Sequence, residues 1–290
     1  MPATTPPPLR HAQADLGEVR LHYVTAGEGS AVLLLHGWPQ TWFMWRDTIA
    51  GLAAAGYRAI APDLRGLGDS SRPETGYDKR TLAEDAWRLV HEVLGESRIF
   101  LVGHDWGGPT AFALAAAHRD AVRRVAIFDV PVPGDGTPVM FANRWHHGLH
   151  WEAGLPEALT EGREEIYLRF FYRNWGGRPD AIAEEAQQEY IRAYRQAGAM
   201  RAGFELYRAT PRDVADNEAA LARDGRLRMP VLCYGGPLGR GRGMGAIESW
   251  RRVAEEVRGG IAEGCGHWIP EERPDWTLAQ LLAFFGEEGG

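Results

Sequence analysis

Cysteine and serine are both scarce in this chain of 290 residues. Cys233 and Cys265 are the only cysteines, so no disulfide framework organises the fold, and a chain of this length can bury a sizeable apolar core without one. Both are expected to be reduced thiols. Of the five serines (Ser30, Ser70, Ser71, Ser97, Ser249), none stands at the centre of G-x-S-x-G, which removes the nucleophile of an ordinary esterase or peptidase. Long apolar runs are missing too. Ala31 to Leu35 and Ala111 to Ala117 fall far short of the roughly 20 residues a spanning helix requires, so no membrane partner is expected. The start, MPATTPPPLR, reads as a frayed Pro-rich leader without a basic segment followed by an apolar one, and the expected location is the cytoplasm. Positive charge is not in excess: 32 Lys and Arg against 39 Asp and Glu give a net charge of −7, which offers nucleic acid no electrostatic footprint.

What is present is a regular alternation. Val19 to Thr25, Ala31 to Leu35, Tyr57 to Ala61, Arg98 to Val102 and Val122 to Phe128 read as short strands. Between them, Trp42 to Ala54, Thr81 to Leu94 and Trp106 to Ala117 have helical spacing, with Thr81 as N-cap and Glu84 at N3 of the second. Buried strands separated by helices imply an α/β protein with a mostly parallel sheet covered on both faces. From Pro131 to about Arg212 the pattern becomes aromatic, Arg-rich and Glu-rich, with helices over Pro156 to Tyr172 and Ile182 to Met200 and no strand. The alternation resumes with a strand at Val231 to Tyr234, a helix near Ile247 to Val257, a strand near Gly260 to Ala262 and a helix from about Asp275 to Phe285. The chain therefore divides into a first core part (1–132), a helical insertion (133–214) and a second core part (215–290). Gly239 to Ala246 satisfies G-x-G-x-x-A, but it lies near the end of the sheet without a second dinucleotide-binding half and reads as a flexible turn. No cofactor is expected.

The chemistry concentrates in Gly103-His104-Asp105-Trp106-Gly107-Gly108, between a strand and a helix. This is the context of a nucleophile elbow, in which flanking glycines let strand and helix approach while the central side chain projects over the sheet. Here that residue is Asp105. A carboxylate attacking a saturated carbon, with an epoxide C–O or carbon–halogen bond leaving, forms an ester that water can hydrolyse at the carboxyl carbon; a serine would form an inert ether. The helix that follows favours the ionised carboxylate. The second step needs a base, and His267 in Gly264-Cys265-Gly266-His267-Trp268 is the candidate. Asp129, at the end of the strand after the elbow, is the candidate orienting acid, with capping of the turn as its alternative role. The competing location, Gly235 to Ile247, contains no Asp or Glu.

These residues resemble the α/β-hydrolase superfamily, specifically its epoxide hydrolase and haloalkane or haloacetate dehalogenase branch, over nearly the whole chain. His36-Gly37-Trp38-Pro39 resembles the H-G-x-P loop of that family, Asp63-Leu64-Arg65-Gly66 through Asp69-Ser70 its next turn, and Gly266-His267 with Pro270-Glu271 its histidine loop. The resemblance implies an α/β-hydrolase fold with the insertion as a helical cap, and an oxyanion hole made by the backbone N–H groups of Trp38 and Trp106. It also implies proton donors from the cap: Trp145-His146 resembles the first donor position and Phe204 to Arg208 the second, which makes His146 and Tyr207 the expected ring-opening pair.

An epoxide oxygen leaves as an alkoxide that needs such donors, whereas a halide needs only N–H dipoles. Fluoroacetate dehalogenases carry Arg beside the nucleophile to clamp the substrate carboxylate; this chain has Trp106 and Pro109 there. The expected substrate is therefore a small, neutral, apolar epoxide with water as co-substrate, and a carbon–halogen hydrolase is the alternative. Trp38, Trp106, Trp145, His147, Trp151 and Trp268 are the expected pocket walls. Tyr207 as mere core and a His146/His147/His150 metal cluster are the bland and the competing alternatives; no H-E-x-x-H accompanies the histidines and no metal is expected. If the chain self-associates, a homodimer is the expected form.

Overall fold

Eight segments form one sheet, whose central strands are rich in apolar residues buried on both faces and whose edge strands are more exposed. The computed structural model describes residues 8–138 and 144–287; the start of the Pro-rich leader and five residues of the expected insertion lie outside the described residues. The strands are β1 (Arg10–Asp15), β2 (Arg20–Ala26), β3 (Ser30–Leu35), β4 (Tyr57–Pro62), β5 (Ile99–His104), β6 (Val122–Phe128), β7 (Val231–Gly235) and β8 (Val257–Ile261). Their order is β1-β2-β4-β3-β5-β6-β7-β8, with β1/β2 and β2/β4 antiparallel and every pairing from β4/β3 to β7/β8 parallel. All six residues of β5 are buried, as are Ala31 to Leu35 of β3. Each such Leu or Val contributes about 1.5–3 kcal/mol by leaving water, which fixes the centre of the sheet. β1 is absent from the expected elements for a physical reason: RHAQAD is a polar edge strand, half exposed and paired on one side only.

The flanking helices are α1 (Arg46–Ala54), α2 (Lys79–Arg88) and α3 (Gly107–Ala117), followed between β6 and β7 by α4 (Trp145–Trp151), α5 (Leu155–Thr160), α6 (Glu164–Trp175), α7 (Glu184–Tyr194), α8 (Ala199–Arg208) and α9 (Thr210–Asp224). After β7 come α10 (Met244–Val253), α11 (Ile269–Glu272) and α12 (Pro274–Gly286). Helix α2 starts earlier than its spacing implies. Asp78, not Thr81, is its N-cap, accepting the Thr81 N–H at 3.0 Å. The two long helices expected in the insertion are each broken. The first breaks at 161–163, and the second at 195–198, where Gly198 takes a left-handed conformation (φ +77°) that stops α7 and starts α8 in a new direction. Helix α9, not expected from the sequence, runs across residue 214, the expected end of the insertion. No described helix is long and apolar enough to cross a membrane.

Candidate active site

The elbow is built where β5 gives way to α3. Asp105 has φ +49°, a left-handed backbone that costs energy for a residue with a Cβ and that aspartate tolerates better than most. The geometry demands glycine nearby: a Cβ on Gly107 would come within 2.6 Å of the Leu35 carbonyl carbon and 2.7 Å of the His36 carbonyl oxygen. Asp105 Oδ1 accepts the Trp38 backbone N–H at 2.9 Å, and the Trp106 N–H is directed at the same carboxylate. Burial alone would raise the Asp105 pKa, but His267, His104 and the Trp106 N–H outweigh it and bring the carboxyl down to about 2. Asp105 is thus held ionised.

His267 Nε2 stands 3.2 Å from Asp105 Oδ2, and His267 Nδ1 is 2.7 Å from Asp129 Oδ2. Burial lowers the imidazole pKa, while the two carboxylates on its opposite nitrogens raise it, and the net direction is upward. Asp129 ends β6 with φ +56°, the only described non-glycine residue besides Asp105 in that region. Its Oδ1 accepts the N–H groups of Gly236 at 2.8 Å and Arg242 at 2.7 Å, so both oxygens are committed. The histidine loop is itself pinned. His104 Nε2 donates to the His267 carbonyl at 2.7 Å, and the Glu272 carboxylate accepts the N–H groups of Gly266 at 2.9 Å and Trp268 at 3.0 Å.

A cavity of about 300 Å³ opens beside this group at the carboxyl ends of the strands. Asp105, Asp129 and His267 line it from the sheet side, and His146, His147, Trp175 and Tyr207 line it from the inserted helices. Burial holds the Tyr207 hydroxyl well above the ordinary tyrosine range. Burial and its neighbours His147 and His150 push His146 far down, so both groups are neutral hydrogen-bond donors. The His146 and Tyr207 rings lie 5.5 Å apart, edge to face. The Tyr207 backbone is fixed by Trp151 Nε1 and Thr210 Oγ1, each donating to its carbonyl at 2.7 Å.

Of the expected pocket walls, Trp106 and His147 line the cavity; Trp38, Trp145, Trp151 and Trp268 do not. Trp38 is fully buried with its ring against His150, Phe171 and Tyr207, where it supports the cap side from behind. Trp145 turns outward over Phe170 and is 48% exposed. Trp151 spends its indole on the Tyr207 carbonyl. Trp268 is buried behind His267, stacked on Trp175. Composition identified tryptophan as a wall material, but which way each ring faces depends on packing that the sequence does not display. His150 packs its ring edge-on to His146 at 5.6 Å, with its Nε2 2.6 Å from the Tyr167 hydroxyl.

Three of the lining residues that were not anticipated bear on the chemistry. Trp175 closes α6, where its spacing from Leu168 and Phe171 marks the buried face of that helix. The others are Arg144 and Arg242. The positions beside Asp105 hold Trp106 and Pro109 rather than arginine, and Arg144 and Arg242, from two distant segments, line the same cavity.

The alpha/beta hydrolase fold family matches residues 30–274, and the chain belongs to it. It is 41% identical over 288 residues to the soluble epoxide hydrolase of a Corynebacterium species, covering 96% of this chain and 97% of that one. Against the fluoroacetate dehalogenase of a Burkholderia species the identity is 31%, over 94% and 92% of the two chains. Among solved structures, epoxide hydrolase CorEH superposes with a TM-score of 0.88 at 40% identity, covering 96% of this chain and 99% of its own.

Proposed function

We propose that this chain is an epoxide hydrolase that adds water to an epoxide through an ester on Asp105, giving a vicinal diol. The observation that carries this reading is the placement of Asp105, His267 and Asp129 on one cavity with the neutral donors Tyr207 and His146 lining its cap side. In the first step Asp105 Oδ2 forms a bond to an epoxide carbon. The C–O bond breaks, and the alkoxide takes a proton from Tyr207, with the neutral His146 N–H as second donor. In the second step His267 accepts a proton from water, which adds to the Asp105 carboxyl carbon. The N–H groups of Trp38 and Trp106 hold the negative charge that develops on Oδ1. Collapse of the adduct releases the second diol oxygen, which takes the proton from His267, and the proton left on the Asp105 carboxyl returns to the Tyr207 phenolate, so that Asp105, His267 and Tyr207 are all regenerated. Asp129 keeps the imidazole in the required tautomer.

Helices α4 to α8 form the cap, within the insertion 133–214, that brings donors to a nucleophile held on the sheet. The names of the more similar relatives favour an epoxide over a carbon–halogen bond, as does a buried tyrosine whose raised pKa keeps its proton available. The test is His267→Gln incubated with styrene oxide. The protein is expected to gain one substrate mass, located on the peptide that carries Asp105. An unmodified Asp105, or halide release from haloacetates with no diol from any epoxide, would defeat the proposal.

A further inference from the structure

The cavity carries more positive charge than epoxide opening requires. Arg144 precedes α4 and Arg242 lies in the loop between β7 and α10, yet both line the space that contains Asp105. Arg144 is 8% exposed. Its Nη2 donates to the Arg240 carbonyl at 2.8 Å and its guanidinium lies 5.2 Å from the Trp175 ring centre, so it is anchored on neutral groups. Arg242 gives its backbone N–H to Asp129, which fixes the residue at the cavity edge. Among the described residues neither guanidinium makes an ion pair; Asp105 and Asp129 act on both only from a distance. The third arginine of the lining, Arg252, differs in that it pairs with Asp135 at 2.8 Å.

A buried cation, Arg144, beside a half-buried one, Arg242, with no carboxylate partner for either among the described residues, is costly, and burial together with Arg242 lowers the Arg144 pKa to about 10. The same pair acts on the cap side: His147 is pushed down to about 3 by burial, then by Arg242 and Arg144. The imbalance grows during the reaction. In the free protein Asp105 and Asp129 offset the two guanidinium groups, but once Asp105 is esterified only Asp129 remains charged against them. A negative group on the bound substrate restores neutrality at that stage, and arginine forms its strongest hydrogen bonds with such oxygens.

We propose that Arg144 and Arg242 receive a carboxylate carried by the substrate, so that the preferred substrate is an anionic epoxide. This rests on the epoxide hydrolase reading above and replaces the neutral substrate expected from the sequence.

The test compares trans-3-phenylglycidate with trans-3-phenylglycidol, which share the oxirane and the phenyl ring and differ in charge. For the unmodified protein kcat/KM is expected to favour the acid by at least about tenfold, the order that one or two charge-assisted hydrogen bonds supply. In Arg144→Gln and Arg242→Gln this ratio is expected to fall by about tenfold each, with the change in KM. A binding readout accompanies it: 3-phenylpropionate, which has no oxirane, is expected to compete in the unmodified protein and to lose about tenfold in affinity in either variant. Equal kcat/KM for acid and alcohol, or a ratio that both variants leave unchanged, overturns the carboxylate site while leaving epoxide hydrolysis standing. Turnover of neither compound, with no mass gain on Asp105 in His267→Gln, overturns the epoxide reading itself.

Discussion

Asp129 divides its carboxylate between two jobs: Oδ2 lies 2.7 Å from His267 Nδ1, while Oδ1 accepts two backbone N–H groups, from Gly236 and Arg242. An asparagine cannot do both, because its amide presents one acceptor and one donor. Whichever way it turns, an NH2 group faces either the two N–H donors or the imidazole N–H.

Asp129→Asn is accordingly expected to lower turnover by about 10³–10⁴-fold, as loss of the orienting acid does in related triads. A pH profile separates this from simple misfolding. His267 must be neutral to accept a proton, so activity rises as pH passes its pKa in the folded protein. Asp129 helps to hold that pKa above the ordinary value. The acidic limb of the residual activity should therefore move to lower pH in the variant, while circular dichroism remains that of the unmodified protein. An unmoved limb would mean that Asp129 does not act on His267 electrostatically.

Asp105 and Asp129 were legible because each directly follows a strand, and His267 because it lies in a glycine-rich loop beyond the last strand, local signatures that survive without tertiary information. Asp129 was singled out because the alternative loop contains no acid, and the structure places it against His267. The proposed donors His146 and Tyr207 were legible only through resemblance, since nothing in their spacing says which cavity they face. The tryptophans show the limit from the other side. Trp38, Trp151 and Trp268 look alike in sequence to Trp106, but three are consumed by packing or hydrogen bonding and one meets the cavity. Arg144 and Arg242 were invisible as a pair because nearly a hundred residues separate them and only the meeting of the insertion with the β7 loop brings them together.

The backbone around the proposed oxyanion pocket leaves no room for a side chain at Gly37. A Cβ there would lie 2.5 Å from Asp105 Cβ and 2.6 Å from the Trp106 backbone nitrogen, both on a strained turn with no room to yield. Gly37→Ala is expected to displace the carboxylate from its N–H donors and to reduce kcat by about 10²–10³-fold, the scale reported by loss of an oxyanion donor. Rapid-quench measurement should show the hydrolytic step slowed. A variant with normal kcat would place the oxyanion stabilisation elsewhere.

Lys79 anchors the back of Trp106. Its ammonium lies 4.1 Å from the indole centre, pairs with Asp213 at 2.9 Å and donates to the Leu206 carbonyl at 2.6 Å, all in a buried site. Lys79→Met leaves the Asp213 carboxylate without its partner and is expected to cost about 3–5 kcal/mol in urea unfolding. Lys79→Met/Asp213→Asn removes the stranded charge and keeps an acceptor for the backbone N–H of residue 79, so it should be less destabilised than the single variant. If the double variant is instead as unstable as the two single losses added together, the pair does not act as a unit.

Glu271 carries a pH dependence whose sign is opposite to that of an ordinary paired carboxylate. Its side chain is buried, accepts hydrogen bonds from Tyr190 and from Arg46 at 3.1 Å, and has a pKa raised to about 7, because burial outweighs the Arg46 charge. The folded protein therefore binds a proton at Glu271 that the unfolded chain, with an ordinary carboxyl pKa near 4.5, has already released. Between about pH 4.5 and pH 7 this group makes stability fall as pH rises, at a rate approaching about 1 kcal/mol per pH unit. The buried histidines His104 and His147, whose pKa values are depressed to about 3, act in the opposite sense over part of the same range. The measurement is consequently a difference: urea unfolding of the unmodified protein minus that of Glu271→Gln, at intervals across this window. Glutamine keeps an acceptor for Tyr190 and cannot ionise, so the difference isolates the Glu271 proton. The unmodified protein should lose stability relative to the variant as pH rises. A difference that is flat across the window, or that grows in favour of the unmodified protein, would show that Arg46 holds Glu271 ionised at neutral pH.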